Sequence, residues 1–176
     1  MNGCRNYFLM TNRLGFSHWS ESDLALAMRL WGDPTVSQFI GGPFSLEEVS
    51  ARLRREIEMM LACGAQYWPV FLLENGELAG CAGLRPYGND KDVLELGFHL
   101  RPDYWGKGLA QEAARAVIDF AFGTLAVTSL FAGHHPNNIA SGRLLKKLGF
   151  CFTHEEIYPP TGLLEPAYLL TNPKSP

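Results

Sequence analysis

The sequence predicts a single α/β domain, and three observations lead there. Strand-like and helical segments alternate through the whole chain, in the order βααβββαβαββ, without separating into two halves. The length of 176 residues suits one domain. A hydrophobic share of 47% and an aromatic share of 12% supply a core without staples, since a domain near this size buries roughly 70% of its unfolded surface.

Each element has a local reason. A strand-like segment opens the chain over 7–16. Ser20 or Ser22 caps a helix through "DLALAMRLW", which Gly32 and Pro34 stop. A second helix starts at Ser45, where Ser45 and Glu48 form a capping-box pattern and Val49, Leu53, Ile57 and Met60 share a face. "YWPVFLLENGELAGCAGL" reads as a hairpin turning at Asn75-Gly76, and "PYGNDKD" as a loop. In "VLELGFHL", Leu94, Leu96, Phe98 and Leu100 face one side of a strand, with Glu95, Gly97 and His99 on the other. The following helix turns Leu109, Ala113, Ala116, Val117 and Phe120 inward and ends near Gly123. "VTSLFAGHH" is a strand. Asn137 or Asn138 caps the short helix "IASGRLLKKL", closed by Gly149, and 150–157 is strand again. "YPPTGLLEP" reads as an irregular loop before a last strand, "AYLLT".

Composition narrows the function classes. A net charge of −3 argues against nucleic acid as a partner, because neutralising phosphates takes clustered Lys and Arg. Four widely spaced cysteines, Cys4, Cys63, Cys81 and Cys151, show no zinc-like spacing, so no metal is expected. They read as buried thiols in a reducing compartment. "MNGCRNYFLM" lacks a basic segment and a long apolar run, and "YWPVFLL" is too short to span a bilayer. A soluble cytoplasmic protein without a membrane partner is the expectation.

The stretch "RPDYWGKGLAQEA" (101–113) carries the chemistry. A strand, a loop with two glycines and a helix N-terminus make a phosphate site, because the first amides of a helix are unpaired and its dipole is positive there. A Walker loop is excluded, since Gly108 follows Lys107. A dinucleotide fingerprint is excluded, since Gln111 stands where a third glycine is needed. A structural turn remains open on this stretch alone.

Together with "NIASGRLLKKLGF", the stretch resembles the acetyl-CoA motif pair of the GNAT superfamily of N-acetyltransferases. It is most similar to the Rim-type branch of ribosomal-protein N-terminal acetyltransferases. The segments "TNRLGF…SESDLALAMRLWGDPTV" and "LLENGELAGCAGL" resemble that branch as well, so the likeness covers nearly the whole chain. It implies a mixed, largely antiparallel central sheet flanked by about four helices, and an N-acetyltransferase with acetyl-CoA as co-substrate. The acceptor would be a primary amine, on a protein N-terminus or a small molecule. The family includes monomers and homodimers.

The resemblance also implies site residues. The pantetheine arm would run beside Phe98, His99 and Leu100. The pyrophosphate would lie on Trp105, Gly106, Lys107, Gly108, Leu109 and Ala110. Asp103 stands where Gln or Arg is usual. Asn138 would bind the pantetheine amide or orient the thioester, besides capping its helix. The amine must lose a proton to attack, and Glu95, on the face opposite the leucines, is the favoured base, ahead of His99, His134 and His135. Leu145 occupies the position of the usual tyrosine acid, leaving Ser141 as its nearest replacement. "GDPTVSQFIGGPFS" and "YPPTGLLEP" would border the acceptor groove. The missing tyrosine leaves a rival reading open, a non-catalytic acyl-CoA-binding module on the same fold.

Overall fold

The computed structural model describes residues 5–88 and 90–174. Cys4 and Asn89, read above as a buried thiol and a loop residue, lie outside the described residues.

The N-terminal strand expected over 7–16 is instead a hairpin of β1 (Leu9–Met10) and β2 (Leu14–Phe16). Thr11 breaks it: its Oγ1 accepts from the amides of Arg13 (3.4 Å) and Leu14 (3.0 Å), a hydroxyl-closed turn. A short 3-10 turn after Ser20 leads into α1 (Leu24–Trp31). Pro34, expected only to stop this helix, opens another, α2 (Pro34–Ser37). Asp33 caps it by accepting from the amides of Thr35 and Val36. Proline suits a first helical position, where its missing N–H has no partner to lose. α2 is the helix beyond the four expected.

α3 (Leu46–Cys63) carries the Ser45–Glu48 capping box and ends at Gly64 in the left-handed region. β3 (Tyr67–Leu72) and β4 (Leu78–Tyr87) form the expected hairpin. β5 (Asp90–Leu100) follows almost at once, with Tyr87 paired to Asp90, so most of "PYGNDKD" is strand. Then come α4 (Leu109–Gly123), β6 (Ser129–Gly133), α5 (Ile139–Lys147) and β7 (Cys151–Tyr158).

β8 (Leu163–Thr171) absorbs much of the expected irregular loop. Gly162 sits at φ 67°, and its amide donates to Tyr158 O at 2.8 Å. That closes a tight turn in which the glycine's conformational freedom is used. Pro166 is tolerated because the ladder with β6 begins one residue later, at Ala167.

The eight strands lie in the order β1-β2-β3-β4-β5-β6-β8-β7. Among the described residues only β5 and β6 pair in parallel, and that ladder runs from Val93–Ser129 to Glu95–Phe131. Both faces are covered. Trp68 and Val70 of β3 join Leu96 of β5 and Leu109, Ala113 and Val117 of α4 in one core. Tyr67 and Phe71, one residue out of phase, join Leu30, Trp31, Val49 and Leu53 in the other. This is the period-2 alternation of a doubly covered sheet. Cys81 is buried, but Cys63 and Cys151 are exposed, which corrects the expectation of buried thiols. Cys63 ends α3, and Cys151 begins the largely exposed β7. No helix among the described residues is long and apolar enough to cross a membrane.

Candidate active site

The short β5–β6 ladder opens the sheet. Beyond Glu95, β5 keeps a strand partner only on its β4 side, through Leu100. The strands splay, and α4 and α5 start on either side of the gap. The gap continues as a cavity of about 610 Å³, lined by Phe98, His99 and Leu100 from β5, by Trp105, Gly106, Gly108, Leu109 and Ala110, and by Asn138 and Ser141.

The Gly-Lys-Gly loop is built as a cradle. Gly106 and Gly108 have φ 72° and 76°, a region that side-chain-bearing residues rarely adopt. A Cβ on Gly106 would meet nothing within 4 Å, so only solvent space faces it. Gly108 is the N-cap of α4 and no side chain caps the helix. The first amide with a backbone acceptor there is Glu112 N, on Gly108 O (3.1 Å). The amides before it are available to an anion.

Lys107 does not line this cavity. Its Nζ lies 5.6 Å from the centre of the Tyr104 ring, and its carbonyl accepts from Arg13 Nη1 at 3.0 Å. Arg13 is in turn fixed by Glu112, which accepts from its Nε at 2.7 Å and its backbone amide at 3.0 Å. The β1–β2 turn thus clamps the loop from outside and holds the Lys107 carbonyl away from the cradle, a contact that nothing in the motif signals. Asp103 pairs with Arg101 at 2.9 Å, and the indole N–H of Trp105 donates to Leu100 O at 2.8 Å.

Beside Phe98 and His99 a second cavity of about 180 Å³ opens, and it contains Glu95. The Glu95 carboxylate accepts from the Tyr67 hydroxyl at 2.8 Å. Burial raises its pKa, against the lowering by Tyr67 and Arg85. Gly97 makes the contact possible, because a Cβ there would overlap the Tyr67 ring. Arg85 lies over the same ring at 3.9 Å and pairs with the buried Glu56. Tyr67, Arg85 and Glu56 were not singled out from the sequence. Their one signal was Gly97, a missing side chain on Glu95's face of the strand.

The histidines are occupied. His99 Nδ1 accepts from the Trp31 indole at 3.4 Å, which leaves its proton on Nε2. Burial and the charges of Arg52 and Arg85 push its pKa well down. His134 Nδ1 donates to His135 O at 2.9 Å, and its Nε2 faces the Tyr168 hydroxyl at 3.4 Å. His135 Nδ1 accepts from the Asn137 amide at 3.1 Å. Asn138 caps α5 by accepting from the Ser141 amide at 3.1 Å. Leu145 is buried in the core.

Glu165, placed in a loop by the sequence, comes from β8 into the same cavity. Burial pushes its pKa up from 4.5 to about 7, and the nearby carboxylates of Glu95 and Glu156 add to the rise. The folded state therefore holds this proton more tightly than the unfolded chain. The stability it contributes is present below pH 4.5 and is lost as pH rises through about 7. Glu165→Gln is expected to raise Tm by a few degrees at pH 8 and to change it little at pH 4.5, as read by thermal unfolding at both values.

An uncapped helix start, two left-handed glycines and a splayed strand together suit the phosphates and extended arm of a coenzyme A donor. The model of the acetyltransferase (GNAT) domain matches residues 13–151, and the chain belongs to that family. It is 27% identical over 144 residues to an uncharacterized N-acetyltransferase, p20, of Bacillus licheniformis, covering 81% of each chain. It superposes on a GNAT-family acetyltransferase from Bacillus anthracis with a TM-score of 0.80 at 22% identity, covering 93% of this chain and 98% of that one. With RimL, a ribosomal L7/L12 alpha-N-protein acetyltransferase in complex with coenzyme A, the TM-score is 0.79 at 15% identity, covering 94% and 98%. The protein is an acetyl-CoA-dependent N-acetyltransferase, and the cavity's donors suit that co-substrate.

Proposed function

We propose that the chain, as one domain over its full length, acetylates a primary amine by direct attack within a ternary complex, as an enzyme of the Rim-type branch. The observation that carries this reading is the meeting of the two cavities. They share Phe98, His99, Asn138 and Ser141, so an acyl group carried along β5 arrives beside Glu95.

The residues take these roles. The amides at the start of α4, with Gly106 and Gly108, hold the pyrophosphate. The free edge of β5 at Phe98–Leu100 aligns the pantetheine arm, and Asn138 orients its end. Glu95 accepts a proton from the incoming ammonium, directly or through one water, leaving a nitrogen lone pair. The nitrogen then bonds to the thioester carbonyl carbon, the C–S bond breaks, and the thiolate leaves. It takes a proton from solvent, which suffices because a thiol's pKa is near 8.5, or from the Ser141 hydroxyl, which regains one from the attacking nitrogen as that nitrogen sheds its second N–H proton. Backbone amides of β5 stabilise the oxygen as it gains charge. No acyl-enzyme is formed.

Initial rates with both substrates varied test the order of events. Intersecting double-reciprocal lines are expected. Parallel lines, the mark of a covalent acyl-enzyme, would overturn the mechanism.

A further inference from the structure

The cavity beside Glu95 contains an arginine that makes no ion pair or hydrogen bond among the described residues. Arg52, on α3, lines it. Its guanidinium lies over the rings of Trp31 (4.6 Å) and Phe44 (5.8 Å), and its Nε is buried without a hydrogen-bond partner. The natural partner is Glu56, one turn along α3. Both its oxygens are engaged, one by Arg85 and the other by the Tyr67 amide at 2.8 Å. A guanidinium held by aromatic faces and left without an acceptor is costly for a protein acting alone. Its planar fork is the geometry that takes a carboxylate through two parallel hydrogen bonds.

The same cavity carries Glu95 and Glu165, the groups an ammonium would face. The cavity thus has carboxylates for a cation and a spare arginine for an anion. It is also small. Its volume is about 180 Å³. The two loops beside it touch: a Cβ on Gly41 would meet Pro160 O at 2.9 Å.

We propose that the acceptor is a small amine bearing its own carboxylate, an amino acid, whose carboxylate sits on Arg52 and whose amine is turned toward Glu95. This rests on the reading of Glu95 as the base. A polypeptide N-terminus, whose α-carboxyl is tied up in an amide, leaves Arg52 unmatched, and so does a plain amine.

The test compares kcat/KM, with acetyl-CoA saturating, for α-amino acids, the matching decarboxylated amines, the matching amino-acid amides and short peptides. The expected result is a preference for at least one amino acid over its decarboxylated amine by about 30-fold or more. That is the lower end of the effect of removing one partner of a buried ion pair. Arg52→Gln is expected to bring that ratio toward one, chiefly through KM, and Arg52→Lys to restore part of it. A coenzyme A-induced rise in Tm verifies that each variant folds; if Arg52→Gln does not, the wild-type ratio decides. Peptides or decarboxylated amines used as well as amino acids by the wild type would overturn the inference and leave the acetyltransferase reading standing. An unchanged ratio in a folded Arg52→Gln would do the same. Wild-type protein that binds coenzyme A and acetylates no amine would overturn both.

Discussion

Gly106→Val is expected to abolish coenzyme A binding, raising Kd by at least about 100-fold, or about 2.7 kcal/mol. Two effects combine. The valine side chain projects into the open space beside the cradle, where a Cβ has no neighbour within 4 Å. The residue also sits at φ 72°, where a side chain costs roughly 1–2 kcal/mol. Gly76 separates the two. It has the same φ of 72° and equally open surroundings, but lies in the β3–β4 turn away from the cavity. Gly76→Val therefore carries the strain without the obstruction and keeps the affinity. Calorimetric titration of both variants with coenzyme A reads the difference. Equal losses, or none at Gly106, would mean that the pyrophosphate lies elsewhere.

Glu95→Gln is expected to lower kcat by about 10²- to 10⁴-fold, the usual range for removing a positioned base, with coenzyme A affinity retained. The amide keeps an oxygen that can accept from Tyr67, so the variant changes charge more than shape. The pH profile gives the sign. A base works only when deprotonated, so activity is present above its pKa and falls as pH drops through it. Burial raises the Glu95 pKa above 4.5, so the acid limb of kcat/KM lies above the ordinary glutamate value, and in the variant this limb disappears. A folded variant with wild-type kcat at neutral pH would remove Glu95 from the mechanism.

How much could be read from the sequence differs between elements. The capping box at Ser45, the Asn75-Gly76 turn and the alternation in "VLELGFHL" are local signals, and each corresponds to the element it predicts. The candidate cradle could be read from the sequence because its residues are consecutive. Failures came where a local rule met a tertiary partner. "YPPTGLLEP" reads as an irregular loop, but β8 runs through Pro166 because the β6 ladder starts just past it. Pro34 reads as a helix stop, and Asp33 turns it into a helix start. Arg52, Tyr67, Arg85 and Glu165 come from α3, β3, β4 and β8, and only the folded sheet gathers them. No spacing in the chain records that convergence. Lys107 shows the reverse, a residue central to the motif whose side chain turns to Tyr104.

The most direct test is a stoichiometry. The purified protein is incubated with acetyl-CoA and a mixed panel of amino acids, amines and peptides, and free coenzyme A and acetylated product are counted together. The account predicts one acetylated amine for each coenzyme A released, with both lost in Gly106→Val. Coenzyme A that binds but is never released from acetyl-CoA in the presence of any amine would contradict it.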